Sequence, residues 1–114
     1  MKLTNLCPHP ICILHADGTE TVIPQSGMAR IAVSYREVAS VRLGQQDVRV
    51  IEGLYGEVVG LPAPAPDCCY LVSHMVRMAL PQRRDLLSPA DIVRDGKGNI
   101  LACRMFERNA TSNE

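Results

Sequence analysis

Ala29, Ile31, Val33 and Tyr35 alternate with Arg30, Ala32, Ser34 and Arg36. That period of two places successive side chains on opposite faces, so the segment reads as a strand with one buried and one wet face. β-Branched residues recur in the same way elsewhere. Ile11 to Ala16 and Thr19 to Ile23 flank Asp17-Gly18, a dipeptide suited to the positive φ angles of a tight hairpin turn. Val38 to Leu43 continues apolar, Gly44 to Gln46 turns, Val48 and Val50 alternate with Asp47 and Arg49, and Glu57 to Val59 lies between Gly56 and Gly60. Each of these runs is expected to be a short strand.

Prolines limit what the remaining segments can do. Leu3 to Leu6 can begin a strand, but Pro8 and Pro10 carry no amide to donate, so the segment after it is an edge or a crossing. Pro62, Pro64 and Pro66 alternate with alanine, which favours an extended surface connection. Cys69 to Val72 is expected as a short buried strand. Ser73 can cap a helix over His74 to Leu80, with Met75, Val76, Ala79 and Leu80 on its inner face and Pro81 at its end. Met75 and Met78 are expected to fill the core. Beyond them come Leu86-Leu87, a turn near Pro89, and a hairpin of Ile92 to Arg94 with Asn99 to Phe106 around Asp95-Gly96-Lys97-Gly98.

The expected fold is mostly β: a compact antiparallel sheet or small open barrel of about six to eight short strands, with one short helix near residues 73–80. At 114 residues one core is affordable and two are not. The globular domain is expected over 1–108, with loose ends at Met1 to Lys2 and at 109–114.

Lys and Arg number 12, and so do Asp and Glu, so no global field draws nucleic acid or an anionic membrane. Arg83-Arg84 reads as a solvated turn. No run approaches the ~18–20 apolar residues of a membrane span, and Pro8 and Pro10 interrupt any signal-peptide core. Five cysteines, an odd number, then point to reduced thiols and a cytoplasmic location.

Cys7, His9, Cys12 and His15 crowd four metal-type ligands into nine residues. On a strand Cys12 and His15 point to opposite faces, so no zinc site is expected. No cofactor is expected either: Walker, dinucleotide, zinc-protease and nucleophile-elbow motifs are all missing. Cys/His pairs, and carboxylate pairs such as Asp85 with Asp91 or Glu52 with Glu57, are unselective as catalytic signals.

The motif Asn5-Leu6-Cys7-Pro8-His9-Pro10-Ile11 resembles the Asn-Leu-Thr-Pro-His opening of a group of small bacterial, phage and prophage proteins. The similarity continues through Ile23-Pro24-Gln25-Ser26-Gly27, Tyr55-Gly56-Glu57-Val58, Gly60-Leu61-Pro62, Tyr70-Leu71-Val72-Ser73, Asp85-Leu86 and Val93-Arg94-Asp95 to Cys103-Arg104. It covers nearly the whole chain, with Cys7 standing where the group has threonine. The group has no settled activity to carry over, but its phage association motivates the expectation of a non-enzymatic, phage- or prophage-encoded protein that captures a small anionic molecule, in sharper form a nucleotide-derived immune signal. Anion contacts are then expected from His9, Arg84, Arg94 and Arg104, with Tyr70 as a stacking or hydrogen-bonding surface. Two alternatives stay open: an interaction module that binds a host protein through an exposed strand edge, and a small enzyme using His9 with Asp85 or Asp91. A homodimer is expected, because a small β domain must cover its edges.

Overall fold

A computed structural model describes residues 1–111. The elements run β1 (Lys2–Asn5), β2 (Ile11–Leu14), β3 (Glu20–Ile23), β4 (Arg30–Leu43), β5 (Gln46–Val59), β6 (Cys68–Leu71), α1 (His74–Ala79), β7 (Leu86–Arg94) and β8 (Ile100–Arg108). Six strands form one open sheet in the order β1-β6-β7-β8-β2-β3, while β4 and β5 pair only with each other. The expectation of a mostly β chain with one short helix therefore holds.

The sheet is mixed. Hairpins pair β2 with β3 and β7 with β8 antiparallel, but β1 with β6, β6 with β7, and β2 with β8 run parallel. Both expected turns are present. His15 donates its amide to Thr19 across the first, with Gly18 at φ +87°, and the Asp95 amide meets the Asn99 carbonyl across the second.

Consecutive residues from Tyr70 in β6 to Val72 just after it face opposite ways and so build two cores. Tyr70 and Val72 pack with Leu6, Ala29, Val76 and Leu86 on the side that carries α1. Leu71 packs with Cys7, Ile11 and Cys103 on the other. Leu71, Val72 and Leu86 are fully buried, and burial of each such side chain contributes about 1.5–3 kcal/mol.

Asn5 decides how the chain leaves β1. Its side chain is 1% exposed. Nδ2 donates to the carbonyls of His9 and Ile23, and Oδ1 accepts from the Cys7 amide at 2.9 Å. These bonds hold the Pro8–Pro10 segment as the crossing from edge strand β1 to β2, which lies between β8 and β3.

Several expectations are corrected. The four short runs between Ala29 and Val59 are two 14-residue strands, because alternation persists through small register shifts at Ile31/Val33 and Glu37/Ala39. Pro89 makes no turn; it lies inside β7 opposite Phe106. Met75 and Met78 are 45% and 59% exposed, since it is Val76 and Arg77 that the helix buries. At the ends, Lys2 is already in β1 with its amide on the Asp67 carbonyl. Asn109 is buried and belongs to the folded part, and the expected tail residues 112–114 lie outside the described residues.

Fourteen residues of strand span about 46 Å, and beyond Val33 the β4 side chains are exposed. The radius of gyration is 17.6 Å, against about 13 Å for a rounded domain of this length. The β4–β5 ribbon is an arm rooted in the core through Ile31 and Val58. At that root Gly60, at φ +90°, lies under the Met28 carbonyl where a Cβ would collide with it.

Asn5→Ala is expected to lower stability by about 1–3 kcal/mol, because it strands the buried Cys7 amide and removes the donor to two part-buried carbonyls at once. Urea unfolding checks this. A loss of under ~0.5 kcal/mol would mean that the crossing does not depend on Asn5.

Candidate functional site

Helix α1 sits over β7 and the root of β4. Ser73, extended at φ −66° and ψ 156°, accepts the Val76 amide through its side chain and starts the helix where expected. Val76 then enters the core, while His74, Met75, Met78 and Ala79 turn toward the arm. With Ile31, Tyr55 and Gly56 they line a hollow of about 480 Å³. Tyr55 is 61% exposed, so the hollow has an aromatic wall from the arm and two thioethers from the helix. Its lining includes no thiol and no carboxylate.

His74 is oriented by Arg77, whose Nη2 lies 3.0 Å from His74 Nδ1. A guanidinium only donates, so Nδ1 accepts and the ring proton sits on Nε2. Arg77 is 3% exposed. Its Nε donates to Ser88 Oγ at 2.8 Å, Nη1 to Asn109 Oδ1 at 2.9 Å, and Nη2 lies 3.2 Å from Glu107 Oε2. Asn109 Nδ2 in turn donates to the carbonyls of Arg77, Leu80 and Arg83, satisfying the end of the helix. No buried side-chain nitrogen or oxygen among the described residues lacks a partner. Arg77 is thus a positioning residue for His74, held away from solvent.

A second hollow, about 250 Å³, lies on the other side of His74 and is lined by Cys7, His9, Cys12, Ser73 and Cys103 among others. All five cysteines are free. Burial pushes the Cys7 thiol up to about 11, with the nearby Cys103 adding to the shift. Burial likewise raises Cys103 and Cys12, the latter aided by Glu20. Protonated thiols are poor nucleophiles and poor metal ligands. No group of three metal-type ligands comes together among the described residues.

The residues expected to contact an anion do not converge. His9 lines the second hollow, and its Nδ1 meets the Pro10 carbonyl at 2.9 Å. Tyr70 is buried in the core, 7% exposed, and offers no stacking surface, because β6 is internal to the sheet and this residue faces α1. Arg94 closes the β7–β8 turn by donating to the Gly98 carbonyl. Arg104 pairs with Asp91 at 3.4 Å and lines a separate hollow with His15. Arg84 is exposed in the loop before β7.

The carboxylates named for catalysis are also engaged. Asp91 is held by Arg104, and Asp85 accepts two 2.8 Å bonds from Arg83, which keep its carboxyl below the usual range.

Sequence reasoning missed His74, Arg77 and Tyr55. His74 and Arg77 carried no signal beyond lying on a short helix, and Tyr55 stood only within the run Tyr55-Gly56-Glu57-Val58.

No family model, no curated protein and no solved structure matches this chain. No helix among the described residues is long and apolar enough to cross a membrane.

At pH 8 native Cys7 is expected to alkylate roughly 100-fold more slowly than in the urea-unfolded chain, because a thiol titrating near 11 holds so little thiolate. Mass-spectrometric counting of iodoacetamide adducts over time checks this, and equal rates in both states would refute it.

Proposed function

We propose that the protein is a non-enzymatic small-molecule-binding protein, with its ligand seated between α1 and the root of the β4–β5 arm. The observation that carries this reading is the lining of the 480 Å³ hollow: Tyr55, Met75 and Met78 around an oriented His74. That volume lies within the ~300–1,000 Å³ usual for ligand sites. A tyrosine ring and two polarizable thioethers suit the faces of a flat heterocycle, and the His74 Nε2–H supplies a donor to its edge. With no carboxylate or thiol in the lining, the chemistry on offer is recognition.

The resemblance of the Asn5-to-His9 opening to that of small phage and prophage proteins motivates the narrower form: capture of a nucleotide-derived immune signal inside a host cell. The base is the portion that the hollow accommodates, and His74 is the polar contact in place of the dispersed arginines.

Melting the protein against nucleotides, cyclic dinucleotides and cyclic ADP-ribose isomers tests the proposal. A true ligand at about 100 times its Kd is expected to raise the midpoint by roughly 10 °C. It should be recovered unaltered after heat release. Met78→Ala is expected to weaken binding about tenfold through lost apolar contact. Absence of a shift with every compound would overturn the reading, and recovery of a chemically altered ligand would replace it with catalysis.

A further inference from the structure

An isolated two-stranded ribbon is marginal in water, yet this arm exposes ten large apolar side chains between Tyr35 and Val59. We infer that the arm is a self-association surface, and that a second copy of this chain covers it, the root half of one arm lying on the tip half of the other.

The register shows how the apolar residues are distributed. Opposed residues in an antiparallel pair share a face, and β5 alternates without interruption from Tyr55 to Gln46, the extra residue at the Glu37/Ala39 shift falling on β4. In the root half, one face carries Val33 opposite Tyr55, Tyr35 opposite Gly53, and at its outer border Ile51 opposite Glu37. Its reverse carries the Arg36–Glu52 ion pair, with Leu54 as its apolar exception. Past the shift the pattern inverts. Ala39 opposite Val50 and Val41 opposite Val48 now occupy the face that held Arg36 and Glu52. The other face carries the Arg42–Asp47 and Arg49–Glu37 pairs. The arm therefore presents two apolar patches of similar size, one per half, on opposite faces. The root patch is a firm one, because a Cβ on Gly53 would lie 3.2–3.5 Å from the rings of both Tyr55 and Tyr35, so the two aromatics cover that position together.

Three arguments select a second copy as the occupant. A two-fold interface needs patch i on patch j and j on i, and two matched patches on one arm satisfy this reciprocally. All but Val38, Leu54 and Val59 of the ten exposed side chains fall on these two patches, enough to supply most of the roughly 800 Å² that one partner gives to a standard interface. Finally, residues 30–59 hold four arginines and four carboxylates, and the three ion pairs settle most of them within the arm. An identical arm therefore meets no net repulsion, and little charge is left over to favour a strongly acidic or basic partner.

The inference goes beyond the small-molecule reading; Tyr55 belongs to both surfaces, so dimerisation is tested on ligand-free protein and by substitutions elsewhere in the arm, and the two readings can fail separately. Light scattering and sedimentation of the full chain are expected to give twice the chain mass. A single-chain mass at about 100 µM, far above the weakest Kd expected of an interface this size, would overturn the proposal.

Tyr35→Lys in the root patch, opposite Gly53, and Val48→Glu in the tip patch, opposite Val41, should each weaken dimerisation roughly 100-fold, since each buries an unpaired charge. An equimolar mixture should restore the dimer, because the new lysine meets the new glutamate while the other contact stays apolar. A mixture that stays monomeric would overturn the root-on-tip arrangement. Should either variant fail to fold, hydrogen exchange on the unaltered chain decides. Protection of the arm amides must rise with protein concentration, and concentration-independent exchange counts against the proposal.

Discussion

The architecture depends on three hydrogen bonds from one buried side chain. Asn5 reaches forward to the Cys7 amide and the His9 carbonyl and across to the Ile23 carbonyl. The segment it holds has two prolines, so it cannot satisfy itself by strand pairing at those positions. An amide side chain with two donors and an acceptor supplies what the backbone lacks there. With the crossing fixed, β1 stays at one edge beside β6 and β2 enters near the other, which is what makes the sheet mixed.

A second polar device ties the helix to the sheet. Arg77 is buried with Ser88, Asn109, His74 and Glu107 around its guanidinium, and Asn109 donates to three carbonyls, one in the last turn of α1 and two in the segment after it. An unpaired buried guanidinium would be severely destabilising; with donors on both terminal nitrogens and Nε engaged, it becomes a rigid joint between α1, β7 and the segment after β8. The joint also orients His74, so the same contacts that hold the helix set the polar wall of the hollow beside it.

The local elements were legible because their signals are local. Asp17-Gly18 and the Asp95 to Gly98 run made the turns they announce, and Ser73 caps the helix that Pro81 closes off. The misreadings all concern context. Pro89 looked like a turn, but it pairs within β7 opposite Phe106. Met75 and Met78 carried the composition of core residues, but the helix is rotated by the demand of Arg77 for Ser88 and Asn109, and the methionines face the hollow. Tyr70 looked available as a ring for stacking, but its strand became internal when β1 and β7 took its two edges.

By itself the sequence determined a mostly β chain, the two tight hairpins, the short capped helix and the proline-enforced crossing, since each follows from propensity or φ restriction within a few residues. Only the tertiary structure decided that the central alternating runs form one long arm rather than four short strands. Alternation specifies which side chains share a face and says nothing of how far two strands stay paired. Tertiary structure also dispersed His9, Tyr70, Arg84, Arg94 and Arg104 and drew His74, Tyr55 and the two methionines together, because convergence in a site depends on strand order and helix rotation, which long-range packing sets.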